Sequence, residues 1–341
     1  MADTRIFFVT NRDHQPNKRD SLFGARFNPD GVAALRYGRA DFTPGAGGPA
    51  LKNAYVYPET KGRTAAAGFT RTGSESFLDD LRVQMRDGCS DTLIFIHGFN
   101  VGFDEALAAA AKISAQTVIG GKPLNIVLFS WPSDGKATPF MAYYSDRDDA
   151  RSSGAAVARA FLKLIDFLIG MKEDEYCGKS MHLLAHSMGA YVLRNGLQAL
   201  IAKEPTKLLR VFDEIVLAAP DEDDDAFETD AKLRLLPRLG ARVTLYHNES
   251  DRALLISDKT KANPDRLGAD GPRMLDLLPK KVVVVDCSRV AATADAMVRH
   301  TFFINCPPVS SDLVATLSGT DTGAIGNRES IRHERAYRIK G

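Results

Sequence analysis

Residues 185–189, Ala-His-Ser-Met-Gly, place a serine in a pattern that can carry nucleophilic chemistry. The mostly apolar run 181–184 precedes this pentapeptide, and a helix-like stretch, 190–197, follows it without a linker. Small residues two positions before and after Ser187 let a strand and a helix approach closely, which forces the serine into a strained turn. The helix N-terminus then directs backbone N–H groups at negative charge that develops there. The pattern predicts a nucleophilic Ser187, with Ala185 where a glycine is usual.

A nucleophilic serine needs a base that accepts its proton, and the base needs a carboxylate that orients it. In enzymes with a strand–serine–helix arrangement, the acid and then the histidine follow the serine in chain order. Asp251 follows the apolar run 242–246, and His300 follows the run that ends at Asp286. We therefore predict that His300 is the base and that Asp251 orients it.

Each of these two roles has an alternative candidate. Asp221 begins an acidic run after the apolar stretch 214–219, where some hydrolases place the acid. The same run is typical of a solvated helix start, since negative charge is favourable at a helix N-terminus. His247 ends a predicted strand four residues before Asp251 and is the alternative base. His333 lies in the charged tail, where a surface role is expected.

A second stretch, His-Gly-Phe-Asn at 97–100, follows the apolar run 92–96. In hydrolases of this kind the loop after that strand supplies one oxyanion N–H, and the residue after the nucleophile supplies the other. These positions are Phe99 and Met188. Each such donor is worth about 10²–10³ in rate. The alternative is an ordinary strand-to-helix turn that uses Gly98 for its backbone freedom.

The loop 131–144 leaves the next strand, 125–129, and carries aromatic residues and a methionine between turn residues. Apolar and aromatic linings are typical of small-molecule sites. We predict that side chains of this loop cap a small acyl pocket that favours short acyl chains; they are Trp131, Phe140, Met141 and Tyr144. The alternative is core packing beneath the following long helix.

Apolar runs alternate with helical patterns along the middle of the chain. Strands are predicted at 92–96, 125–129, 181–185, 214–219, 242–246 and 281–285, and helices at about 104–114 and 148–169. Apolar strands of this length separated by helices indicate a twisted, mostly parallel sheet with helices on both faces. The sequence therefore predicts an α/β fold that brings the carboxyl ends of the strands, and the candidate residues after them, to one edge.

The 341 residues divide into three predicted parts. Residues 1–90 contain strand-like runs at 6–9 and 55–57 and are expected to form an N-terminal extension of the sheet. Residues 91–310 form the catalytic core. Residues 311–341, which turn Gly/Thr-rich and then charged, are expected to form a C-terminal appendage on the surface.

Composition narrows the class of protein further. Lys and Arg number 44 and Asp and Glu 43, and this balance argues against nucleic acid as a partner. No apolar run approaches the length of a membrane span or of a signal-peptide core. The four cysteines lack metal-like spacing and are typical of thiols in a reducing compartment. We expect a cytoplasmic protein that needs no metal and no organic cofactor; its oligomeric state stays open.

Several stretches together resemble a bacterial α/β-hydrolase family without an assigned function. They are FVTNR at 8–12, IFIHGFN at 94–100, FSWPS at 129–133, YSDRD at 144–148, AHSMG at 185–189, APD at 219–221 and SDRAL at 250–254. The resemblance extends from about residue 5 to residue 310. It implies an α/β-hydrolase fold with a triad of Ser187, Asp251 and His300. It does not indicate a substrate. Arg299 and Thr301 depart from the Gly or Asp and the Ser that the family places beside the histidine.

These features predict a serine hydrolase, specifically a carboxylic-ester hydrolase that acts on short-chain acyl esters through an acyl-enzyme. A lipase, a thioesterase or an amidase would use the same parts. A non-catalytic binding or assembly scaffold that has kept the fold is the alternative class, and the presence of all three triad members argues against it. The expected partner is a small-molecule ester.

Overall fold

A computed structural model describes residues 3–17, 21–45, 48–58, 73–133, 139–251, 254, 265–291, 300–332 and 335–341, with the backbone alone for 139–142. The strands are β1 (Thr4–Thr10), β2 (Arg12–His14), β3 (Phe23–Phe27), β4 (Arg36–Thr43), β5 (Ala50–Val56), β6 (Thr92–Ile96), β7 (Val118–Ile119), β8 (Lys122–Pro123), β9 (Asn125–Ser130), β10 (Met181–His186), β11 (Phe212–Ala218), β12 (Gly240–His247), β13 (Val282–Asp286), β14 (Arg328–Arg332) and β15 (Ala336–Ile339). The helices are α1 (Gly73–Gly88), α2 (Phe103–Gln116), α3 (Pro139–Ser152), α4 (Gly154–Gly170), α5 (Met188–Lys203), α6 (Leu267–Asp270), α7 (Ser288–Ala291), α8 (Phe302–Asn305) and α9 (Pro307–Leu317).

One large sheet organises the molecule. Within the described ranges its strand order is β14-β15-β13-β12-β11-β10-β6-β9-β1-β4-β5. Neighbouring strands from β15 to β1 run parallel, and the pairs β14–β15, β1–β4 and β4–β5 are antiparallel. The predicted α/β class with a mostly parallel sheet is confirmed.

Both faces of this sheet are covered by helices, which explains why its central strands are apolar at nearly every position. Side chains alternate between the faces with a period of two residues. Leu93 and Phe95 of β6 pack with α2 and α9 on one face, while Ile94 and Ile96 pack with α1, α4 and α5 on the other. None of the helices in the described ranges combines the length and the apolar character that a membrane crossing requires.

The helical region after β9 differs from its prediction. The sequence predicts one helix over 148–169, whereas the structure has α3, which begins at Pro139, and α4, separated from it at Ser153. The second helix starts where Gly154 meets α5: a Cβ added at Gly154 would lie 2.6 Å from the backbone carbon of Asn195. A glycine is therefore needed for the close crossing of α4 and α5, and this contact between distant segments has no local signal.

The N-terminal part of the chain extends the sheet beyond β9. Strand β1 pairs in parallel with β9 and antiparallel with β4, so it lies inside the sheet rather than at its edge. Its register aligns Thr10 with Ser130 at the ends of the two strands. The residue pair that follows, Asn11 and Arg12, is consequently delivered to the carboxyl edge of the sheet, beside the loop that leaves β6.

The predicted C-terminal surface appendage is wrong. Strand β15 pairs in parallel with β13, and Ala336 and Ile339 are buried in the core. Arg328 of β14 points inward, where its guanidinium bonds to Asp312 Oδ1 at 2.6 Å and Oδ2 at 2.8 Å. The charged residues of this tail hide its strands, because Arg328 stands at an inward position where an apolar residue is expected. The buried Asp312 on α9 compensates the charge of Arg328 there.

We expect Arg328→Ala to lower the free energy of unfolding by about 3–5 kcal/mol, since it leaves the carboxylate of Asp312 buried without its ionic partner. Urea unfolding followed by circular dichroism measures the change. The matched control is Arg332→Ala on the same strand, whose ion pair with Asp276 is mostly exposed to solvent. We expect that control to lose at most about 1 kcal/mol. Equal losses in the two variants would contradict an integral role for β14.

Candidate active site

Ser187 lies in a strained turn between β10 and α5. Its backbone has φ 53° and ψ −125°, in the left-handed half of φ space that residues other than glycine rarely adopt. Such strain is of order 1–3 kcal/mol and persists where surrounding structure fixes it. Here Ser187 N donates to Ala218 O, and Ser187 O accepts from Asp221 N, both at 3.0 Å. The turn is therefore tied to the end of β11 on both sides of the serine.

The small residues around Ser187 have identifiable steric reasons. A Cβ added at Gly189 would lie 2.5 Å from Ile96 O, so the first turn of α5 rests directly on the end of β6. A Cβ added at Gly98 would lie 3.1 Å from Ser187 Cβ. Ala185 is fully buried between β6 and β11, in register with Ile96 and Leu217. The strand, the turn and the helix pack as closely as the sequence pattern predicts.

His300 and Asp251, which the sequence predicts as base and acid, lie together. His300 Nδ1 is 2.7 Å from Asp251 Oδ2, the Asp251 side chain is fully buried, and 19% of the His300 side chain is exposed. A carboxylate can only accept, so Nδ1 carries the proton of this bond, and in the neutral imidazole the lone pair is on Nε2. The imidazole ring of His300 is also 4.7 Å from that of His186, the residue before Ser187. The structure thus brings an oriented histidine acceptor to the serine turn.

His186 holds the backbone of His300. Its Nε2 lies 3.0 Å from His300 O, and its ring packs on Phe303 at 4.9 Å. Burial lowers the pKa of His186 well below its usual value, and the nearby His300 lowers it further. His186 is therefore neutral near pH 7 and donates its Nε2–H to the carbonyl group.

The two alternative candidates are engaged elsewhere. The Asp221 carboxylate pairs with the guanidinium of the buried Arg266 and accepts a hydrogen bond from Tyr143 Oη at 2.8 Å. His247 Nδ1 lies 3.2 Å from Ala269 O, and burial lowers the pKa of its imidazole. The geometry favours Asp251 and His300 over these two residues for a proton relay.

The predicted oxyanion donors belong to two segments, the loop after β6 and the start of α5. Met188 is the first residue of α5, so its N–H has no acceptor within the helix. In the part of the chain that the structure describes, the N–H of Phe99 makes no hydrogen bond. The contacts at Gly98 and Gly189 bring both segments against the serine turn. The N–H groups of Phe99 and Met188 are therefore candidates for binding an oxyanion at this turn.

Comparison with protein families agrees with this fold. The model of the family described as "Alpha/beta hydrolase of unknown function (DUF900)" matches residues 74–317, more than two thirds of the chain. The chain belongs to this α/β-hydrolase family. The matched segment runs from α1 to the end of α9 and includes Ser187, Asp251 and His300, whereas β1, β4, β5, β14 and β15 lie outside it. No curated protein matches the sequence.

In this α/β hydrolase Trp131 does not form part of a cap over an acyl pocket, contrary to the prediction from the sequence. Trp131 is fully buried, stacks on the His97 ring at 5.3 Å and 9°, and donates from Nε1 to His97 O at 2.9 Å. Its assignment as a substrate-contacting residue is therefore corrected, because the indole is covered by the loop after β6. Tyr144 is 51% exposed and remains a candidate. The side chains of Phe140 and Met141 lie outside the described residues.

Sequence reasoning missed the polar surroundings of Asp221. Arg266 is fully buried and bonds to both Asp221 and Asp223. It is 45 residues from Asp221 along the chain, and Tyr143 is 78 residues away. Only the acidic run itself gave a signal, since a carboxylate buried beside a strand end needs a cationic partner.

Proposed function

We propose that this α/β hydrolase is a serine esterase that cleaves small carboxylic esters through an acyl-enzyme. The observation that carries the proposal is the 2.7 Å hydrogen bond between His300 Nδ1 and a fully buried Asp251, beside a serine at φ 53°. Strained backbone at a strand–helix turn is typical of nucleophile positions. An imidazole whose proton is fixed on Nδ1 is prepared to accept a second proton at Nε2.

In the acylation step, Ser187 Oγ attacks the acyl carbon and its proton passes to His300 Nε2. The electron pair of the carbonyl group moves to its oxygen, and the N–H groups of Phe99 and Met188 donate to this oxyanion. Asp251 stabilises the resulting imidazolium without taking its proton. Collapse of the tetrahedral intermediate breaks the bond to the leaving oxygen, which receives the proton from Nε2 and departs as an alcohol.

In the deacylation step, a water molecule replaces the alcohol. Its proton moves to His300 Nε2 as its oxygen attacks the acyl carbon, and the same two amides stabilise the second oxyanion. The acyl–Oγ bond then breaks, and Nε2 returns the proton to Ser187. The net reaction is ester plus water to acid plus alcohol, and every proton passes through one imidazole.

The expected preference is for short acyl chains. Only 4% of the Ser187 surface is exposed, which favours a narrow approach to the hydroxyl. Among the predicted cap residues whose side chains the structure describes, Tyr144 is half exposed on α3, and we propose that it contacts the acyl group. We expect p-nitrophenyl acetate and butyrate to be hydrolysed with higher kcat/KM than the C8 and C16 esters.

The test combines covalent labelling with this ester series. We expect a fluorophosphonate probe to label the wild-type protein, and mass spectrometry of the digest to locate the adduct on the peptide that contains Ser187. Labelling at another serine would assign the nucleophilic role to that residue instead of Ser187. A folded protein that is neither labelled nor active on esters, thioesters or anilides would favour the scaffold alternative. Activity that rises steadily from C2 to C16 would overturn the short-chain preference alone.

A further inference from the structure

We propose that Asp146 is a positioning residue for the proposed ester hydrolysis. It fixes the oxyanion loop, defined as residues 97–101, so that the N–H of Phe99 points at the site where the oxyanion forms. This inference rests on the proposed function and assigns a role to the stretches around residues 12, 131 and 146, which no catalytic step uses.

Asp146 holds the second half of the oxyanion loop. It lies fully buried on α3, and its Oδ2 accepts a hydrogen bond from Asn100 N at 3.0 Å and another from the Ser133 hydroxyl. The Ser133 oxygen in turn accepts from Val101 N at 3.1 Å. One carboxylate therefore fixes two consecutive peptide groups, the first of them directly and the second through a serine.

Arg12 secures the same segment from the other side. Its guanidinium is buried and donates to Val101 O at 2.8 Å, to Ser133 O at 3.2 Å and to Ser130 Oγ at 2.9 Å. Arg12 and Asp146 are linked through Ser133, whose carbonyl group accepts from the guanidinium and whose hydroxyl donates to the carboxylate. Arg12 bonds to the carbonyl group of Val101, and Asp146 is linked to the Val101 N–H group through Ser133. These contacts from two sides fix the position of this end of the loop.

Trp131 and His97 hold the beginning of the loop. The indole N–H donates to His97 O, and His97 Nδ1 lies 2.8 Å from Gly98 O. Burial lowers the pKa of His97 to about 3, and the charge of Arg12 lowers it as well, so this ring is neutral near pH 7. A neutral His97 stacked on an indole is a packing element and leaves the proton relay to His300.

Phe99 lies between these two anchored ends. Its neighbour Asn100 has φ 56°, a left-handed conformation that the Asn100 N–H bond to Asp146 stabilises. The Phe99 N–H belongs to the adjacent peptide group and makes no hydrogen bond within the described ranges. The scaffold therefore fixes the direction of this N–H group without using it.

Loss of this scaffold is expected to act on the transition state. The oxyanion exists only after attack, so a misplaced Phe99 N–H lowers kcat and leaves KM within about threefold. Removing one oxyanion donor costs about 10²–10³ in kcat. We expect Asp146→Ala to lose about that factor. We expect Asp146→Asn to lose about tenfold, because its amide oxygen can still accept from both Asn100 N and the Ser133 hydroxyl but lacks the negative charge that strengthens the two bonds.

The experiment measures kcat and KM on p-nitrophenyl butyrate together with the inhibition constant of a short alkyl trifluoromethyl ketone. This ketone forms a hemiketal oxyanion with a nucleophilic serine and so reports on the donors directly. We expect its inhibition constant to rise in Asp146→Ala by the same factor as kcat falls. The pH profile of kcat/KM should keep its wild-type shape, because His300 and Asp251 are untouched.

The matched control is Asp312→Ala, a carboxylate that is equally buried but bonds to Arg328 and Tyr246. We expect it to lower the melting temperature while kcat and the ketone inhibition constant stay within about threefold. Where Asp146→Ala fails to fold, Ser133→Ala removes the link to Val101 alone, and we expect about a tenfold change in both constants.

The outcomes separate the two proposals. A folded Asp146→Ala with wild-type kcat, or one whose kcat falls while the ketone binds as tightly as before, overturns the positioning role. The proposed function survives that result as long as Ser187→Ala is inactive in the same assay. Full activity in Ser187→Ala overturns the proposed function itself.

Discussion

Ser187→Ala is expected to lower kcat/KM for p-nitrophenyl butyrate by about a millionfold. The activity that is left is what substrate binding and the oxyanion donors supply without a nucleophile. Alanine has no hydroxyl to attack the acyl carbon, so the acyl-enzyme cannot form. The His300 imidazole is left without the proton that it transfers. The measurement is steady-state hydrolysis at high enzyme concentration, together with fluorophosphonate labelling, which we expect to disappear.

The fold of this variant is expected to be unchanged. The bonds that hold the turn use the backbone of Ser187, namely its N–H to Ala218 O and its carbonyl from Asp221 N. Alanine meets the same restriction at φ 53° as serine does, so the strain is retained. We expect the free energy of unfolding to change by at most about 0.5 kcal/mol. Circular dichroism and urea unfolding check this, so that inactivity is not mistaken for unfolding.

Ser114→Ala is the matched serine control. Ser114 is also buried, but it lies on α2, and its hydroxyl bonds to Leu124 O at 2.8 Å on the far side of the sheet. We expect this variant to keep wild-type labelling and wild-type kcat. Labelling that persists in Ser187→Ala, or hydrolysis above about 1% of wild type, would show that another group is the nucleophile.

The serine turn was predictable from sequence because its determinants are local. The strand predicted at 181–185 is observed as β10, and α5 begins immediately after Ser187. The contact of Gly189 with Ile96 O and His97 O comes from the neighbouring strand β6, but the need for a small residue at this position is part of the strand–turn–helix pattern and so is visible in the sequence. The order of acid and base along the chain likewise follows from the order in which parallel strands deliver their loops.

The position of Trp131 was not predictable in the same way. Its stacking on His97 joins two residues 34 positions apart, and nothing within the loop distinguishes an exposed indole from a buried one. The same applies to β14, where an arginine at an inward position conceals the strand pattern. Its partner Asp312 is on α9, and buried charge is tolerated only when such a partner is present.

Asp251→Asn is expected to lower kcat by about 10⁴ with little change in KM. An asparagine side chain can present its NH₂ group to His300 Nδ1, which moves the imidazole proton to Nε2. His300 then cannot accept a proton from Ser187, and the imidazolium of the transition state loses its carboxylate. KM is insensitive because the bound ester carries no charge that this carboxylate could stabilise. Stopped-flow or steady-state assays with p-nitrophenyl butyrate measure the loss.

Asp221→Asn is the comparison that assigns the acid. We expect it to lower the stability of the protein and to change kcat only slightly, the reverse of what we expect for Asp251→Asn. Its carboxylate compensates the charge of the fully buried Arg266, so the neutral amide removes one of the charges that stabilise this cation, while Asp223 stays bonded to it. Weakening a buried ion pair lowers the free energy of unfolding by up to about 3–5 kcal/mol. Its kcat should fall tenfold at most, through altered packing near the Ser187 turn. An inactive Asp221→Asn beside an active Asp251→Asn, both with wild-type circular dichroism, would place the acid after β11 instead of after β12.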